Sequence, residues 1–255
     1  MAKFIRLDGI VFNNNNLPVL VDMAEQVSLI TSLHSWLNAE ASNYSYSNGD
    51  LVVQDLVNPS AQYEKAPSRV TGPVIADGVL NGRSVIRFAG DGNTVGGLKK
   101  NVDDMPNGAN TKLTFALVAL VTSPDTSTQN IMCSGATGSD GVAIFSSGTE
   151  TNHSIGLNGG NALFESGKTW KIMIGSVDGT TVKSLSPSDL ATVSTGSGSS
   201  SNLLSTMYLG QSSALASKFV GDIAEALVFS DDLLASANSA DLANLIDYLK
   251  TKFAI

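Results

Sequence analysis

Cysteine and histidine are scarce in this sequence of 255 residues, which contains only Cys133, His34 and His153. A single cysteine cannot form an intrachain disulfide. A nucleophilic thiol needs a positioned base, and no sequence pattern pairs Cys133 with either histidine, so we interpret it as a buried thiol at a strand end. The two histidines lack a partner at ligand spacing, which gives no zinc motif and favours positions in the core or at its rim.

Positive charge is also limited. The chain has 15 Lys and Arg against 23 Asp and Glu, a formal net charge of −8, and only 15% of its residues are charged. Its densest basic run is Lys99-Lys100. Binding to nucleic acid requires the neutralisation of several phosphates, so this composition argues against a nucleic-acid partner.

Long apolar runs are absent as well. No stretch approaches the roughly 18 consecutive apolar residues of a membrane-spanning helix, and residues 1–8 lack the apolar region of a secretion signal. We therefore expect no membrane insertion, and synthesis in a cytoplasm without export by the standard route.

The sequence is rich in small residues that form turns. It contains 24 glycines and abundant serine, threonine and asparagine, while apolar residues make up 42% and aromatic residues 6%. This composition is typical of a β-rich globular protein with many turns. Sandwiches of about 200–250 residues are common as single domains, so the chain is long enough for one large β domain.

Short apolar runs separated by turns predict many strands. Ser84–Phe88 alternates polar and apolar residues, as in a strand buried on one side. Leu113–Val121 is a longer apolar run that favours a central strand, and Asp178-Gly179 between two runs predicts a hairpin. Regular short strands of this kind predict an antiparallel two-sheet sandwich.

The two ends of the chain have a different pattern. Residues 1–30 are too few for a core of their own, and we predict that they form an N-terminal docking arm on a main domain of residues 31–255. Near the other end, a helix is predicted to begin at Ser236 or Ser239, either of which can act as a cap. Its apolar face would contain Leu242, Leu245, Ile246, Leu249 and Phe253. We interpret the low-complexity stretch 195–201 as a mobile surface loop.

Several motifs follow one another in a recognisable order. They are Trp36-Leu37-Asn38-Ala39, Asn48-Gly49-Asp50-Leu51-Val52 with Asp55, Asn81-Gly82-Arg83 through Phe88 to Asn93, Tyr208-Leu209-Gly210-Gln211, Phe219–Phe229, and Tyr248-Leu249 through Phe253. This order resembles the concanavalin A-like, laminin-G-like jelly-roll domains of tailed-phage virion proteins and of exported bacterial surface proteins. The resemblance covers residues 33–253 and implies an all-β fold: two antiparallel sheets packed face to face, with a short N-terminal arm and one C-terminal helix.

The same resemblance raises the question of glycosidase activity. Glycosidases with this jelly roll carry paired carboxylates in an E-x-D-x-x-E pattern, because retaining chemistry needs two carboxyl groups about 5 Å apart. The pattern does not occur in this sequence. Asp222 and Glu225 are three residues apart, so a regular strand would direct them to opposite faces, and we expect Asp222 in a turn and Glu225 bound within the sheet. On these grounds we predict that the chain is not an enzyme.

Four aromatic residues are candidates for stacking on a sugar: Trp36, Tyr44, Tyr46 and Trp170. Tryptophan in a strand more often belongs to the core, which is our interpretation of Trp36 and an open alternative for Trp170. Tyr44 and Tyr46 alternate on one strand face beside a turn and are the better exposed candidates. We predict carbohydrate binding by Tyr44, Tyr46 and Trp170.

Some laminin-G-like domains bind calcium at a sheet rim, and four residues here have suitable oxygen ligands. They are Asp91, Asn93, Asp103 and Asp104. Calcium takes six to eight oxygens from several loops, whereas aspartate and asparagine are also common in turns, so both interpretations remain open. We expect no other cofactor.

The resemblance and the lack of recognised catalytic groups together favour a non-enzymatic structural protein of a phage virion. The subunit would be a capsid decoration, a head fibre or a tail-attached protein at the virion surface, made in the host cytoplasm. Residues 1–30 would bind other virion proteins, and we expect a homo-oligomer. The alternative is an adhesin module that recognises a host surface glycan, and a glycoside hydrolase ranks third.

Overall fold

A computed structural model describes residues 22–66, 70–89, 95–101, 112–122, 129–134, 141–147, 152–157, 160–163, 167–198, 206–211 and 219–255. The helices in these residues are α1 (Met23–Ser28) and α2 (Ser239–Phe253). Neither is long and apolar enough to cross a bilayer. The strands are β1 Leu33–Asn38, β2 Tyr44–Ser47, β3 Asp50–Gln54, β4 Gln62–Lys65, β5 Val74–Leu80, β6 Arg83–Phe88, β7 Leu98–Asn101, β8 Lys112–Val121, β9 Gln129–Ser134, β10 Val142–Ser147, β11 Asn152–Leu157, β12 Gly160–Leu163, β13 Lys171–Asp178, β14 Thr181–Leu185, β15 Val193–Ser197, β16 Thr206–Leu209 and β17 Gly221–Phe229.

These strands form two sheets. In the described residues, sheet I has the order β15-β14-β13-β8-β17-β6-β5, with β1 also pairing with β17. Sheet II has the order β12-β11-β10-β9-β16-β7-β4-β3-β2. The strands pair antiparallel throughout both sheets, including the predicted hairpin at Asp178-Gly179. The predicted all-β, two-sheet antiparallel sandwich with one C-terminal helix is therefore confirmed.

The inner core lies between the two sheets. It is built from the alternate apolar residues that each strand directs inward, for example Leu37, Phe115, Ile131, Leu209 and Val228. The predicted central strand is confirmed, because β8 lies between β13 and β17 and is buried along most of its length.

A second, outer core lies between sheet I and the helices. The predicted apolar face of α2 packs there: Leu245, Leu249 and Phe253 are buried, and Leu242 and Ile246 lie at the margin. Sheet I is thus covered on both faces, which explains why β17 is buried at every position instead of alternating.

Helix α2 begins at Ser239, one of the two predicted positions, but neither predicted serine caps it. Asn238 is the N-cap residue, and no side chain caps the helix. Ser236 instead opens a 3₁₀ turn, Ser236–Asn238, and Ser239 is already helical. The Asn238 amide is turned back toward the preceding loop, where it donates to Asp232 O at 2.7 Å.

Two glycines of the motifs mark close approaches between elements. Gly210 has φ +79°, and a Cβ there would lie 2.2 Å from the Phe88 ring. A Cβ on Gly221 would lie 2.1 Å from Leu120 O. Since Phe88 also packs on Phe219 at 5.4 Å between ring centroids, motifs that are far apart in sequence meet in the fold.

The prediction of a mobile loop at residues 195–201 is wrong for its first part. Val193–Ser197 is strand β15, which pairs with β14. A Cβ on Gly196 would lie 2.2 Å from Asn161 O, so the small residue allows β15 to approach β12. Residues 199–201 lie outside the described residues.

Of the predicted arm, residues 1–30, the structure describes only residues 22–30. Residues 1–21 lie outside the described residues, and the docking arm stays a prediction. From Asp22 onward the segment is part of the main domain: Asp22 caps α1 by accepting from Ala24 N at 3.1 Å, and Val27 and Ile30 are buried in the outer core.

Candidate functional site

A cleft on the helix-covered side of sheet I contains one of the predicted sugar-binding residues, Trp170. Its volume is about 400 Å³, within the usual range of ligand sites, roughly 300–1,000 Å³. The walls come from the start of β13, the turn after β14 and the end of α2. The lining residues are Thr169, Trp170, Lys171, Ile172, Pro187, Ser188, Asp189, Leu190, Lys250 and Ile255.

The turn after β14 is held in place by Asp189. One carboxylate oxygen accepts from Ala191 N and Thr192 N, both at 2.9 Å, and the other accepts from Thr192 Oγ1 at 2.6 Å. The Thr192 and Ala191 hydrogen bonds lower the pKa of Asp189 to about 2. The turn therefore presents a carboxylate that remains ionised across physiological pH.

The Trp170 side chain is half-buried. It packs against the margin of the outer core, as does Leu190 across the cleft. Packing fixes the ring without removing it from the cleft, and polar side chains, including Ser188 and Asp189, lie around it. An aromatic ring can stack on the apolar C–H face of a sugar, while nearby polar side chains can bind the hydroxyl groups at the edge of the sugar. Trp170 thus lies both at the margin of the outer core and in the wall of the cleft, and sugar binding by this residue stays a prediction.

The other predicted sugar-binding residues lie elsewhere, on β2 at the edge of sheet II. Tyr46 is 52% exposed, whereas Tyr44 is half-buried and packs against the inner core. Their rings are 6.1 Å apart at 85°, so they form an edge-to-face pair instead of a flat platform. The structure therefore does not combine Tyr44 and Tyr46 with Trp170 in one site. Trp36, predicted as core, is buried in the outer core.

The predicted calcium ligands Asp91, Asn93, Asp103 and Asp104 all lie outside the described residues. Within the described part of the chain, no group of three His, Cys, Asp or Glu residues is arranged to hold a metal ion. Calcium at these four positions stays a prediction.

Sequence reasoning missed the surroundings of Glu225. One of its oxygens accepts from Trp36 Nε1 at 2.5 Å and from Tyr248 Oη at 2.6 Å, and the other lies 2.9 Å from Lys252 Nζ. Glu225 is 1% exposed. Burial raises its pKa, although Lys252 and the hydrogen bonds from Tyr248 and Trp36 oppose this effect. The carboxylate links α2 to β1 and β17.

The expectation that Asp222 lies in a turn and faces away from Glu225 is wrong. Asp222 is in β17, and a register shift occurs between Ile223 and Glu225. Ile223 lies in the inner core and Ala224 in the outer core. The shift then adds Glu225 to the outer face, the same face as Asp222 under strand alternation. Asp222 accepts two hydrogen bonds from Arg87, both at 2.8 Å.

A smaller cleft of about 240 Å³ borders this cluster and is lined in part by Glu40, Arg83 and Lys252. Lys252 Nζ lies 3.0 Å from a Glu40 oxygen as well as 2.9 Å from Glu225. Glu225 itself does not line the cleft, because Lys252 separates it from solvent. Through its contacts with Tyr248 and Lys252, Glu225 attaches the last turns of α2 to sheet I.

Cys133 and His153 are both buried, as predicted. Cys133 Sγ donates to Gln211 O at 3.3 Å. His153 Nε2 lies 3.2 Å from Gly167 O, and burial lowers the pKa of the ring. Both residues are explained by packing within sheet II.

No protein-family model matches this sequence, and no curated protein matches it either. Solved structures do match its fold. A sialidase from Trypanosoma rangeli matches with a TM-score of 0.54 at 14% identity, over 87% of this chain and 33% of the sialidase. A GH54 α-L-arabinofuranosidase matches with a TM-score of 0.54 at 11% identity, over 77% of this chain and 50% of that one.

Domain 4 of AbnA, a GH43 extracellular arabinanase from Geobacillus stearothermophilus, matches with a TM-score of 0.50 at 15% identity in a complex with arabinotriose. That match covers 83% of this chain and 98% of the arabinanase domain. The chain spans about a third of the length of the sialidase. At these identities the comparisons show the fold, a lectin-like β-sandwich that also occurs in glycosidases.

These matches contradict the expectation that the chain is not an enzyme. Proteins that match this fold include a sialidase, an arabinofuranosidase and a domain of an arabinanase. The expectation rested on the missing E-x-D-x-x-E pattern. Glycosidase chemistry depends on the distance between two carboxyl groups and not on one sequence spacing, so the missing pattern does not separate this chain from glycoside hydrolases.

Proposed function

We propose that this chain is a carbohydrate-binding β-sandwich domain and that the Trp170 cleft holds the sugar. The observation that carries the proposal is a half-buried indole at the cleft wall, surrounded by polar side chains on a rigid turn. Support also comes from the arabinanase domain of similar fold, whose structure contains arabinotriose.

The binding mode follows from the chemistry of the lining. The apolar face of a sugar ring would lie against the Trp170 indole, which desolvates both surfaces. Hydroxyl groups would reach Ser188 and Asp189. The turn already donates hydrogen bonds to both oxygens of Asp189, so a sugar hydroxyl would share this carboxylate with those donors.

Replacing Trp170 with alanine should weaken glycan binding by about tenfold or more, because the aromatic stacking surface is lost. The affinity is measured by calorimetry with the best ligand from a glycan array. Tyr46→Ala is the matched control, since Tyr46 is exposed on the other sheet, and it should keep wild-type affinity.

Two results would contradict this assignment. If Tyr46→Ala abolishes binding while Trp170→Ala retains it, the site is at Tyr44 and Tyr46 instead. If the array shows no binding to any glycan, the proposed function is wrong.

The virion setting is a second part of the proposal. It is supported by the resemblance of the ordered motifs to phage jelly-roll domains, and by the position of residues 1–21 ahead of a segment that packs into the outer core. We propose that the domain is displayed at a virion surface as a repeated subunit, and that residues 1–21 bind sister subunits or other virion proteins.

Deleting residues 1–21 should convert a defined oligomer into a compact monomer. Residues 22–30 are kept because Val27 and Ile30 are buried. The measurement is mass-resolved light scattering of the full chain and the truncated chain. An identical mass for both would contradict the assembly role of residues 1–21.

A further inference from the structure

We infer that the side of the sandwich between β2 and β5 is the docking surface for residues 1–21 of a neighbouring copy of this chain. This inference rests on the proposed assembly role of residues 1–21 and names the surface that receives them. Three apolar side chains define this β2–β5 surface: Tyr46, Val70 and Val74, which are 52%, 77% and 48% exposed.

The two sides of the sandwich differ in how the sheets end. Among the described strands, β15 and β12 end sheets I and II on one side, and a Cβ on Gly196 of β15 would lie 2.2 Å from Asn161 O of β12. On the other side the sheets end at β5 and β2. The last strand of a sheet leaves a row of backbone groups without a partner strand, and exposed apolar side chains beside it favour association with another chain.

The residues of the β2–β5 surface are joined by direct contacts. Tyr46 Oη accepts from Ile75 N of β5 at 3.4 Å, directly after the exposed valine that begins that strand. Lys65 of β4 donates from Nζ to Val70 O at 3.4 Å and lies 2.6 Å from a carboxylate oxygen of Asp50. Asp50 begins β3, just beyond the turn that follows β2. The three exposed side chains therefore lie on one continuous surface.

Residues 1–21 supply apolar side chains that need burial. Phe4, Ile5 and Leu7 lie near the start, a second apolar run follows at residues 10–12, and the segment is too short for a core of its own. It ends at Asp22, which caps α1. Twenty-one extended residues span about 70 Å, whereas a compact domain of this size is about 45 Å across. The segment is thus long enough to reach a neighbouring copy.

Charge complementarity favours the same pairing. Two exposed carboxylates flank the β2–β5 surface, Asp77 on β5 and Glu64 on β4. Neither has an ion-pair partner among the described residues. Residues 1–21 carry two cations, Lys3 and Arg6, against one carboxylate, Asp8. In a chain with a net charge of −8, this segment therefore brings apolar side chains and positive charge to a surface that is apolar and flanked by negative charge.

The contact would use side chains more than an added strand. The register of β5 shifts between Ala76 and Leu80, which leaves only a short regular edge for pairing. Each copy would donate its residues 1–21 to one neighbour and receive those of another. Such heterologous contacts give an oligomer of defined mass when they close into a ring.

Val70→Glu should raise the subunit concentration needed for half-assembly by about tenfold or more, because it places a charge in an apolar contact. Val70 is 77% exposed in the subunit, so the substitution should leave the subunit fold unchanged. Val193→Glu is the matched control: Val193 is 41% exposed on β15, on the opposite side of the sandwich, and assembly should stay at the wild-type level. Mass-resolved light scattering over a dilution series measures both, and circular dichroism checks the fold.

A crosslinking experiment identifies the occupant directly. Val70 is replaced by photoreactive benzoylphenylalanine in the unlabelled full-length chain, which is mixed with ¹⁵N-labelled wild-type chain, diluted to exchange subunits, concentrated and irradiated. Mass spectrometry of the digested adducts should find position 70 joined to ¹⁵N-labelled peptides from residues 1–21. The label shows that the peptide comes from another copy.

The outcomes separate this inference from the proposed function. If deletion of residues 1–21 leaves the mass unchanged, the proposed assembly role falls and the inference falls with it. If the deletion gives monomers but Val70→Glu assembles as well as Val193→Glu, the inference is overturned while the assembly role stands. Irradiation that yields no adduct with labelled residues 1–21, or adducts only with those of the same chain, would also overturn it.

Discussion

Replacing Asp55 with asparagine should lower the free energy of unfolding by about 3–5 kcal/mol, because it leaves the Lys100 ammonium group buried without its counter-charge. Asp55 is fully buried and Lys100 is 4% exposed. Urea unfolding followed by tryptophan fluorescence measures the effect as a lower transition midpoint.

The size of this effect follows from the number of groups that meet at Asp55. Its carboxylate accepts from Ser35 Oγ at 2.7 Å, from Trp36 N at 3.1 Å and from Val57 N at 2.9 Å, in addition to Lys100. Ser35 and Trp36 belong to β1 of sheet I, whereas Lys100 belongs to β7 of sheet II. One carboxylate therefore joins the two sheets of the sandwich.

Asp50→Asn is the matched control for this prediction. Asp50 forms an ion pair with Lys65 at 2.6 Å, but the two side chains are 30% and 22% exposed. Such pairs contribute about 0–1 kcal/mol, so the control should lose no more than that. If Asp55→Asn costs no more than the control, the buried pair does not stabilise the sandwich in the way described.

Replacing Lys252 with methionine should destabilise the fold by about 3–5 kcal/mol near neutral pH, since Glu225 would keep its charge in the outer core without a cation. The loss should shrink as the pH is lowered. Burial raises the pKa of Glu225, and Lys252 opposes that rise, so removing the lysine raises the pKa further.

The direction of the pH effect follows from proton linkage. In the variant, the folded-state pKa of Glu225 lies above its unfolded value, and the folded state binds the proton more tightly. Stability is therefore highest below the unfolded pKa and falls as the pH rises through the interval between the two values. Denaturant unfolding of variant and wild type at a series of pH values from about 4 to about 8 measures the difference.

Glu225→Gln in the Lys252→Met background is the control for this prediction. Glutamine keeps an oxygen that accepts from Trp36 and Tyr248 but does not titrate in this range. At neutral pH the double variant should be more stable than Lys252→Met. Its stability should also lack the extra pH dependence that Lys252→Met shows relative to the wild type. A Lys252→Met variant whose loss is the same at every pH would show that Glu225 is not the group responsible.

Local sequence patterns were sufficient for most of the fold. Period-two alternation identified strands such as Ser84–Phe88, and the three-and-four spacing of Leu245 and Leu249 identified the apolar face of α2. These signals succeed because they depend on residues that are near neighbours in sequence.

Such local patterns could not predict contacts between residues that are far apart in the sequence. Trp36 and Glu225 are 189 residues apart, and the register shift that turns Glu225 to the outer face leaves no mark in the sequence. Lys100 was noted only as part of a basic run, although strand alternation buries it beside Asp55. Buried ion pairs are therefore the least predictable part of this protein.

The candidate site was predictable in part. Trp170 was identified as an aromatic candidate, but its partners were not, because the cleft combines three elements. One signal was available: Ser186-Pro187-Ser188-Asp189 contains turn-forming residues, and aspartate at such a position commonly accepts from the backbone two residues on. That pattern would have indicated a rigid turn beside Trp170.

The position of β17 has a consequence for how the protein is made. This strand is synthesised after all the other described strands, yet it lies in the middle of sheet I, with β8 on one side and β6 and β1 on the other. Its pairing with β1 joins residues separated by most of the chain, and such contacts form slowly. Sheet I cannot close until Gly221–Phe229 has been synthesised. Until then the edges of β8 and β1 are open to pairing with other molecules, and we expect the yield of folded protein to depend on chaperone supply.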